Sequence, residues 1–325
     1  MDEALLASML ASTLRVSTPL ILCALAGLLS ERAGVVDIGL EGKMLFAAFA
    51  AGAAGAAYGS TALAVFLAML VAVALAWMHG LACVSHKGDQ VVSGVAINII
   101  ASGMTMVLGI AWFAQGGQTP AVSTAVRIQP LFPQLAESVK SLPLVGPVLG
   151  EGLFSHNFLV YLALALVPAV WWLMFRTRFG LRLRAVGENP QMVDAAGVSV
   201  TRLRYAALTL NGMLCGLAGS YLVLAQAANF SSNMTAGRGF MALAALIFGR
   251  WHPVLALWAC LLFGFLDAAA IRLQGVKLPA SIGGGEVPVQ AIQALPYVLT
   301  VVLLAGFIGS AVAPKALGKP YSKER

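Results

Sequence analysis

Residues 176–204 read RTRFGLRLRAVGENPQMVDAAGVSVTRLR, the longest strongly polar interval between two long apolar runs. Arg176, Arg178, Arg182, Arg184, Arg202 and Arg204 stand there against only Glu188 and Asp194. Placed between spans, a short basic stretch stays on the cytoplasmic side, because positive charge beside helix ends resists translocation. Inside it, Gly187-Glu188-Asn189-Pro190 has the chemistry of a turn into a helix, with Asn189 as N-cap and Pro190 at the first helical position. Gln191 to Ala196 then predicts one or two short turns, closed by Gly197. A short, stiff helix held between two spans suits docking onto another protein. The plainer reading, a positive-inside loop and nothing more, stands equally open.

Composition agrees with the membrane reading. The 325 residues are 60% hydrophobic and 10% charged, with a mean hydropathy of +0.88. A soluble domain carries about 25% charged residues. The fold class is therefore all-α, a polytopic membrane protein. The 34 glycines fit close helix packing or broken helices. The start, Met1-Asp2-Glu3, is acidic where a signal peptide would be basic. The net charge of +7 gathers in 176–204 and the tail 315–325, which sets orientation and gives no reason to invoke nucleic acid. Cys23, Cys83, Cys215 and Cys260 each stand alone in apolar runs and read as small hydrophobes. His79, His86, His156 and His252 are scattered, and no metal site or catalytic constellation is expected.

Apolar windows fall at 4–30, 43–58, 61–84, 91–114, 156–175, 205–227, 239–249, 253–271 and 289–311. That predicts about nine to ten transmembrane helices, some short or broken. Windows 43–58 and 239–249 are too short to cross as straight helices. Each follows a glycine-punctuated polar stretch, ERAGVVDIGLEGK at 31–43 and NFSSNMTAGRG at 229–239. Short, interrupted segments in corresponding halves point to a transport site. Counting back from a cytoplasmic tail places the Pro- and Gly-rich loop 115–155 outside and leaves the side of the N-terminus open.

Ionisable residues beside or within spans are functional candidates, since burying them is costly. The densest group is Glu31, Arg32, Asp37, Glu41 and Lys43. It reads either as a membrane-edge turn whose charges pair and reach water, or as the break of a discontinuous helix facing a polar pathway. Asp267 and Arg272 read as an interfacial or paired couple. Asn98, Asn211 and Gln226 are polar groups within or at the ends of spans. They suit interhelical hydrogen bonds or a path for a polar solute. No phosphate-binding loop occurs, so ATP-driven transport would need a separate ATPase chain.

Three stretches together resemble one family. SERAGVVDIGLEG at 30–42 resembles the early motif of ABC importer permeases of the branched-chain amino acid and simple-sugar class, most like the shorter permease of the nucleoside-uptake subgroup. AVGENP at 185–190, followed by AAGV at 195–198, resembles that family's cytoplasmic coupling segment. GRGFMALAALIFG at 237–249 resembles its late re-entrant motif. Asp37 departs from the Asn expected in the nucleoside subgroup, whereas the sugar subgroup often has Asp in this region.

The resemblance implies a type II ABC importer permease in the bacterial inner membrane, one transmembrane domain over 1–325 with a coupling loop at 176–204. It implies a second permease subunit, a different and longer homologue, with the pathway at their interface. Two ATP-binding subunits would hold ATP and Mg, with no cofactor in this chain. They would receive Gly187, Glu188, Asn189, Pro190, Ala195, Ala196 and Gly197. An extracellular or periplasmic solute-binding protein would deliver the solute. The expected cargo is a nucleoside, with Asp37, Glu41, Asn98, Asn211 and Gln226 as pathway candidates. A simple sugar such as a pentose, or a branched-chain amino acid, is the alternative; an ion-coupled secondary transporter is the remaining one.

Overall fold

A chain this apolar has to satisfy its backbone N–H and C=O groups internally, and α-helices do so within each segment. The computed structural model describes residues 3–140, 146–273 and 312–323, with residues 294, 295, 298 and 302 between them. The helices are α1 (Glu3–Arg32), α2 (Leu40–Tyr58), α3 (Thr61–Gly80), α4 (Gln90–Phe113), α5 (Pro133–Lys140), α6 (Gly146–Gly152), α7 (Phe158–Arg176), α8 (Arg178–Glu188), α9 (Pro190–Ala195), α10 (Val200–Tyr221), α11 (Arg238–Phe248) and α12 (Pro253–Leu273). Single π-helical turns extend α3 over Leu81–Ser85 and α10 over Leu222–Ala227.

Eight of the nine apolar windows coincide with helices; the ninth, 289–311, lies almost wholly outside the described residues. The chain is a multi-pass helical membrane protein. Among the described residues six helices are long and apolar enough to cross a membrane: α1, α3, α4, α7, α10 and α12. At 11 residues α11 is too short to cross alone.

The polar breaks supply the caps. Asp89 accepts from the N–H groups of Val91 and Val92, Asn157 from Val160, Thr177 from Gly180, Asn189 from Met192 and Ser199 from Arg202. These side-chain oxygens satisfy N–H groups that each first turn leaves free. Gly187 and Glu188 belong to α8, so the turn expected at 187–190 shrinks to one residue. Asn189, at φ −150° and ψ 91°, alone separates α8 from α9.

The bundle centres on α1 and α10, whose most apolar stretches are 78% buried against 22% for α3 and α4. Small residues set the spacing. Ala64, Ala68, Ala72 and Ala76 form one fully buried stripe on α3. Facing them, a Cβ on Gly212 would stand 2.6 Å from the Val73 Cα, and one on Gly216 2.4 Å from the Met69 Cα. Membrane helices gain little from hydrophobic exclusion and associate through such close backbone packing. The segment before α5 folds down over this core: Thr119, Val122 and Ile128 donate their N–H groups to the carbonyls of Phe230, Ala228 and Leu224.

Gly216→Val is expected to lower stability by about 2 kcal/mol or more, because backbone would have to move. Gly103→Val, where nothing lies within 4 Å of the added Cβ, is the control and should leave thermal unfolding in detergent unchanged.

Candidate functional site

Between α1 and α2 the chain crosses 33–39 without regular structure. Its backbone is pinned from three sides. Val35 N–H donates to Ser30 O at 3.0 Å, Val36 N–H to Gln90 Oε1 at 2.6 Å, and His79 Nε2 to Val36 O at 3.0 Å. Asp37 points inward and pairs with Lys43, both fully buried. Lys43 Nζ also donates to Asn211 Oδ1 at 2.7 Å, and Asn211 Nδ2 to Ala26 O at 2.9 Å and Ser30 Oγ at 3.3 Å. The charges thus pair as expected, but Asp37 and Lys43 do not reach water. They lock a helix break.

The first turn of α2 reaches outward as well. The Glu41 carboxylate accepts from Gly237 N–H at 2.9 Å and Gly239 N–H at 2.6 Å, at the N-terminus of α11. Negative charge is favoured there, where helix N–H groups lack internal acceptors. Gly237 turns the chain at φ +82°, and a Cβ on Gly239 would stand 2.5 Å from the Glu41 N. Next along, Gly42 N–H donates to Asn98 Oδ1 at 2.7 Å, while Asn98 Nδ2 donates to Ile38 O at 3.1 Å. The other end of α11 is held by the same motif. Trp251 Nε1 donates to Glu31 Oε2, and the Arg32 guanidinium donates to Trp251 O at 2.8 and 3.0 Å.

Residues 228–237 lead irregularly into α11, with Ala228, Asn233 and Ala236 at positive φ. Ser102, halfway along α4, donates to Asn233 Oδ1 at 3.1 Å. Non-helical backbone therefore lies beside the midpoint of a membrane-length helix, with Ser232 and Asn233 exposed. Within a bilayer such backbone is tolerated only where protein covers it or water lines it. This face of α4 and 228–239, with Glu41 and Asn98 behind it, is the candidate pathway wall.

Of the residues singled out from sequence, Asp37 and Asn211 meet through Lys43, and Glu41 and Asn98 meet around the first turn of α2. Gln226 sits apart, donating to Arg15 O at 3.1 Å at the other end of α10. Among the described residues no ion pair joins Asp267 to Arg272, and no group of three His, Cys, Asp or Glu could hold a metal. Sequence reading missed the roles of Lys43, His79 and Gln90. The signal was there for Lys43: a cation at the start of an apolar helix needs a buried anion.

The basic segment forms a second site. Val186, Val193 and Val200 are buried, while Glu188, Asn189, Gln191, Met192, Ala195, Ala196 and Gly197 face outward. A Cβ on Gly187 would stand 2.2 Å from Arg32 O. Residues of the tail bind both sides of this contact: Ala316 N–H donates to Gly187 O at 2.8 Å and Gly318 N–H to Gly34 O at 3.3 Å. Arg204, 1% exposed, donates to Ala33 O at 3.2 Å and to Lys319 O at 3.5 Å. The exposed face of α9 is thus presented on a rigid base.

The chain is similar to known proteins along nearly its whole length. Residues 9–313 match the family model described as branched-chain amino acid transport system / permease component. The guanosine ABC transporter permease protein NupQ of Bacillus subtilis is 38% identical over 96% of this chain and 95% of its own. The nucleoside ABC transporter permease protein NupC of Lactococcus lactis is 36% identical over 97% and 96%. The glucose ABC transporter permease protein TsgB13 of Haloferax volcanii is 27% identical over 86% and 72%.

Lys43→Met should destabilise the protein by roughly 3–5 kcal/mol, since it strands the buried Asp37 carboxylate. Adding Asp37→Leu should recover a large part of that loss. Thermal unfolding of the wild type, both single variants and the double variant measures the coupling; additive effects would show that the pair does not act as a unit.

Proposed function

The chain belongs to the branched-chain amino acid transport system permease component family, and on that premise we propose that it lines the pathway of an ATP-driven importer of nucleosides. The observation that carries the cargo reading is the wall at mid-membrane. Ser102, Ser232 and Asn233 offer neutral donors and acceptors. Neutral hydrogen-bonding groups match a polar, uncharged solute. The guanosine and nucleoside permeases among the relatives favour a nucleoside; the glucose permease keeps a sugar as the second reading.

In this reading the chain is a non-catalytic subunit, since its sequence holds no nucleotide-binding motif. Two ATP-binding subunits hold ATP and Mg and receive the exposed face of α9 at the cytoplasmic side. A second permease, a longer homologue, covers the open face of α4 and 228–237. A solute-binding protein delivers the nucleoside from the other side of the membrane, where 115–155 lies. Asp37 acts from behind the wall by locking the break, and Glu41 and Asn98 fix the wall's two helices. They are positioning residues here.

Proteoliposomes holding this chain, its partner permease, the ATPase subunits and the binding protein should accumulate labelled guanosine or uridine only with internal ATP. Uptake should persist when proton and sodium gradients are collapsed. Accumulation of glucose or a pentose instead would favour the second cargo reading. Gradient-driven uptake by this chain alone would reject the importer. Glu188→Lys and Met192→Asp, both at exposed positions, should fold normally yet lose uptake and solute-stimulated ATP hydrolysis. Normal coupling in both variants would remove 187–197 from the ATPase contact.

A further inference from the structure

At the end of the bundle opposite α8 and α9, a cavity of about 390 Å³ opens among α1, the π-helical end of α10 and the segments flanking α5–α6. Pro19 sets one of the contacts beside it. Proline has no N–H, so the carbonyl of Arg15, four residues earlier, loses its helical donor. Tyr221 Oη at 3.0 Å and Gln226 Nε2 at 3.1 Å donate to it instead. This draws the end of α10 against α1 and leaves the Arg15 side chain at the cavity.

Two guanidiniums, Arg15 and Arg127, line the space. Among the described residues neither lies within salt-bridge distance of a carboxylate, and neither makes a hydrogen bond. His156, 2% exposed, lines it too. Its Nε2 donates to Gly152 O at 3.0 Å, and its buried Nδ1 has no partner. Because a carbonyl can only accept, Nε2 carries the proton and Nδ1 is an acceptor. Burial lowers the imidazole pKa, so the ring stays neutral at pH 7. The cavity therefore offers two unpaired cationic forks beside a neutral ring whose Nδ1 is closed to solvent.

We propose that this cavity binds a phosphate oxyanion, held by Arg15 and Arg127. Planar guanidiniums suit phosphate oxygens, and two left unpaired at a membrane protein's edge call for an anion. The depth fits as well. From Arg15 to Arg32 is roughly 26 Å of helix, against a hydrocarbon core of about 30 Å, so Arg15 lies near headgroup level. A phospholipid headgroup and a free phosphate share this chemistry. The site is separate from the pathway wall, and its test does not depend on the cargo.

The test uses the full chain in detergent and reads thermal unfolding against dihexanoylphosphatidylglycerol, dihexanoylphosphatidylcholine and inorganic phosphate at constant ionic strength. A ligand selective for the folded state raises Tm in a saturable way. Phosphatidylglycerol should do so, and more strongly than phosphatidylcholine, whose choline cation is repelled by the two guanidiniums. A rise with phosphatidylglycerol alone assigns the source to a lipid, and an equal rise with inorganic phosphate to a free anion. Arg127→Gln should weaken the effect about tenfold or more, the scale of one charge-assisted hydrogen bond. Arg15→Gln with Arg127→Gln should abolish it, and Arg178→Gln at the opposite end should leave it intact. If the double variant does not fold, Arg127→Gln alone decides. No saturable rise in the wild type, one unchanged by Arg127→Gln, or an equal response to phosphatidylcholine overturns the proposal.

Discussion

The Lys43 ammonium, buried between the Asp37 carboxylate and the Asn211 amide oxygen, is the interaction on which the wall's geometry depends. A chain that leaves a helix inside a membrane protein exposes N–H and C=O groups that have no water to turn to. At 33–39 those groups are met by Ser30, Gln90 and His79, and the ion pair ties the far end of the loop to α10. Such a pair is not a large net source of stability, because desolvating two charges offsets most of their attraction. What it provides is uniqueness: with either charge misplaced, the other is stranded.

Lys43 acts with its two neighbours. Successive residues of an α-helix point about 100° apart, so the first turn of α2 can address three directions at once. Glu41 reaches the N-terminus of α11, Gly42 the Asn98 side chain of α4, and Lys43 the loop and α10. A break in the chain thereby becomes a junction of four helices. Glycine at 42 is needed for the middle contact, since a Cβ there would stand 2.8 Å from Asn98.

Much of this was legible in the sequence, and the boundary has a physical cause. Local chemistry read well: Asn189 as a cap, Gly197 as a stop at φ +77°, and eight apolar windows as eight helices. The resemblance of 30–42, 185–198 and 237–249 to permease motifs read well too. What did not read was partnership across the chain. Asp37 looked suited either to water or to a pathway because Asn211 is 168 residues from Lys43. Gln226 read as an interhelical hydrogen bond or a pathway group, and it makes the former, to an Arg15 O that a proline 207 positions earlier leaves free. The hold of the tail on Gly187 and Gly34 left no trace in composition, because both contacts are made by backbone alone.

The same motif that makes the junction also ties the wall to the coupling face. Glu31 and Arg32 hold the turn after α11, Glu41 holds its start, and between them Arg32 O lies against Gly187 of α8. The contact at Gly187 has no side chain that can yield, and the tail and Arg204 close it from the other side. Residues 31–41, α11 and α8 are therefore expected to move as one body on a small displacement. A reducible bifunctional thiol crosslinker between cysteines placed at 32 and 251 tests this, its length spanning the gap that the Arg32 side chain bridges to Trp251 O. If the body is rigid, ATP-driven uptake should survive the crosslink. Uptake that is lost on crosslinking and regained on reduction would show that α11 and the end of α1 must separate during the cycle. Contiguity alone does not establish coupling, and the crosslink supplies the missing measurement.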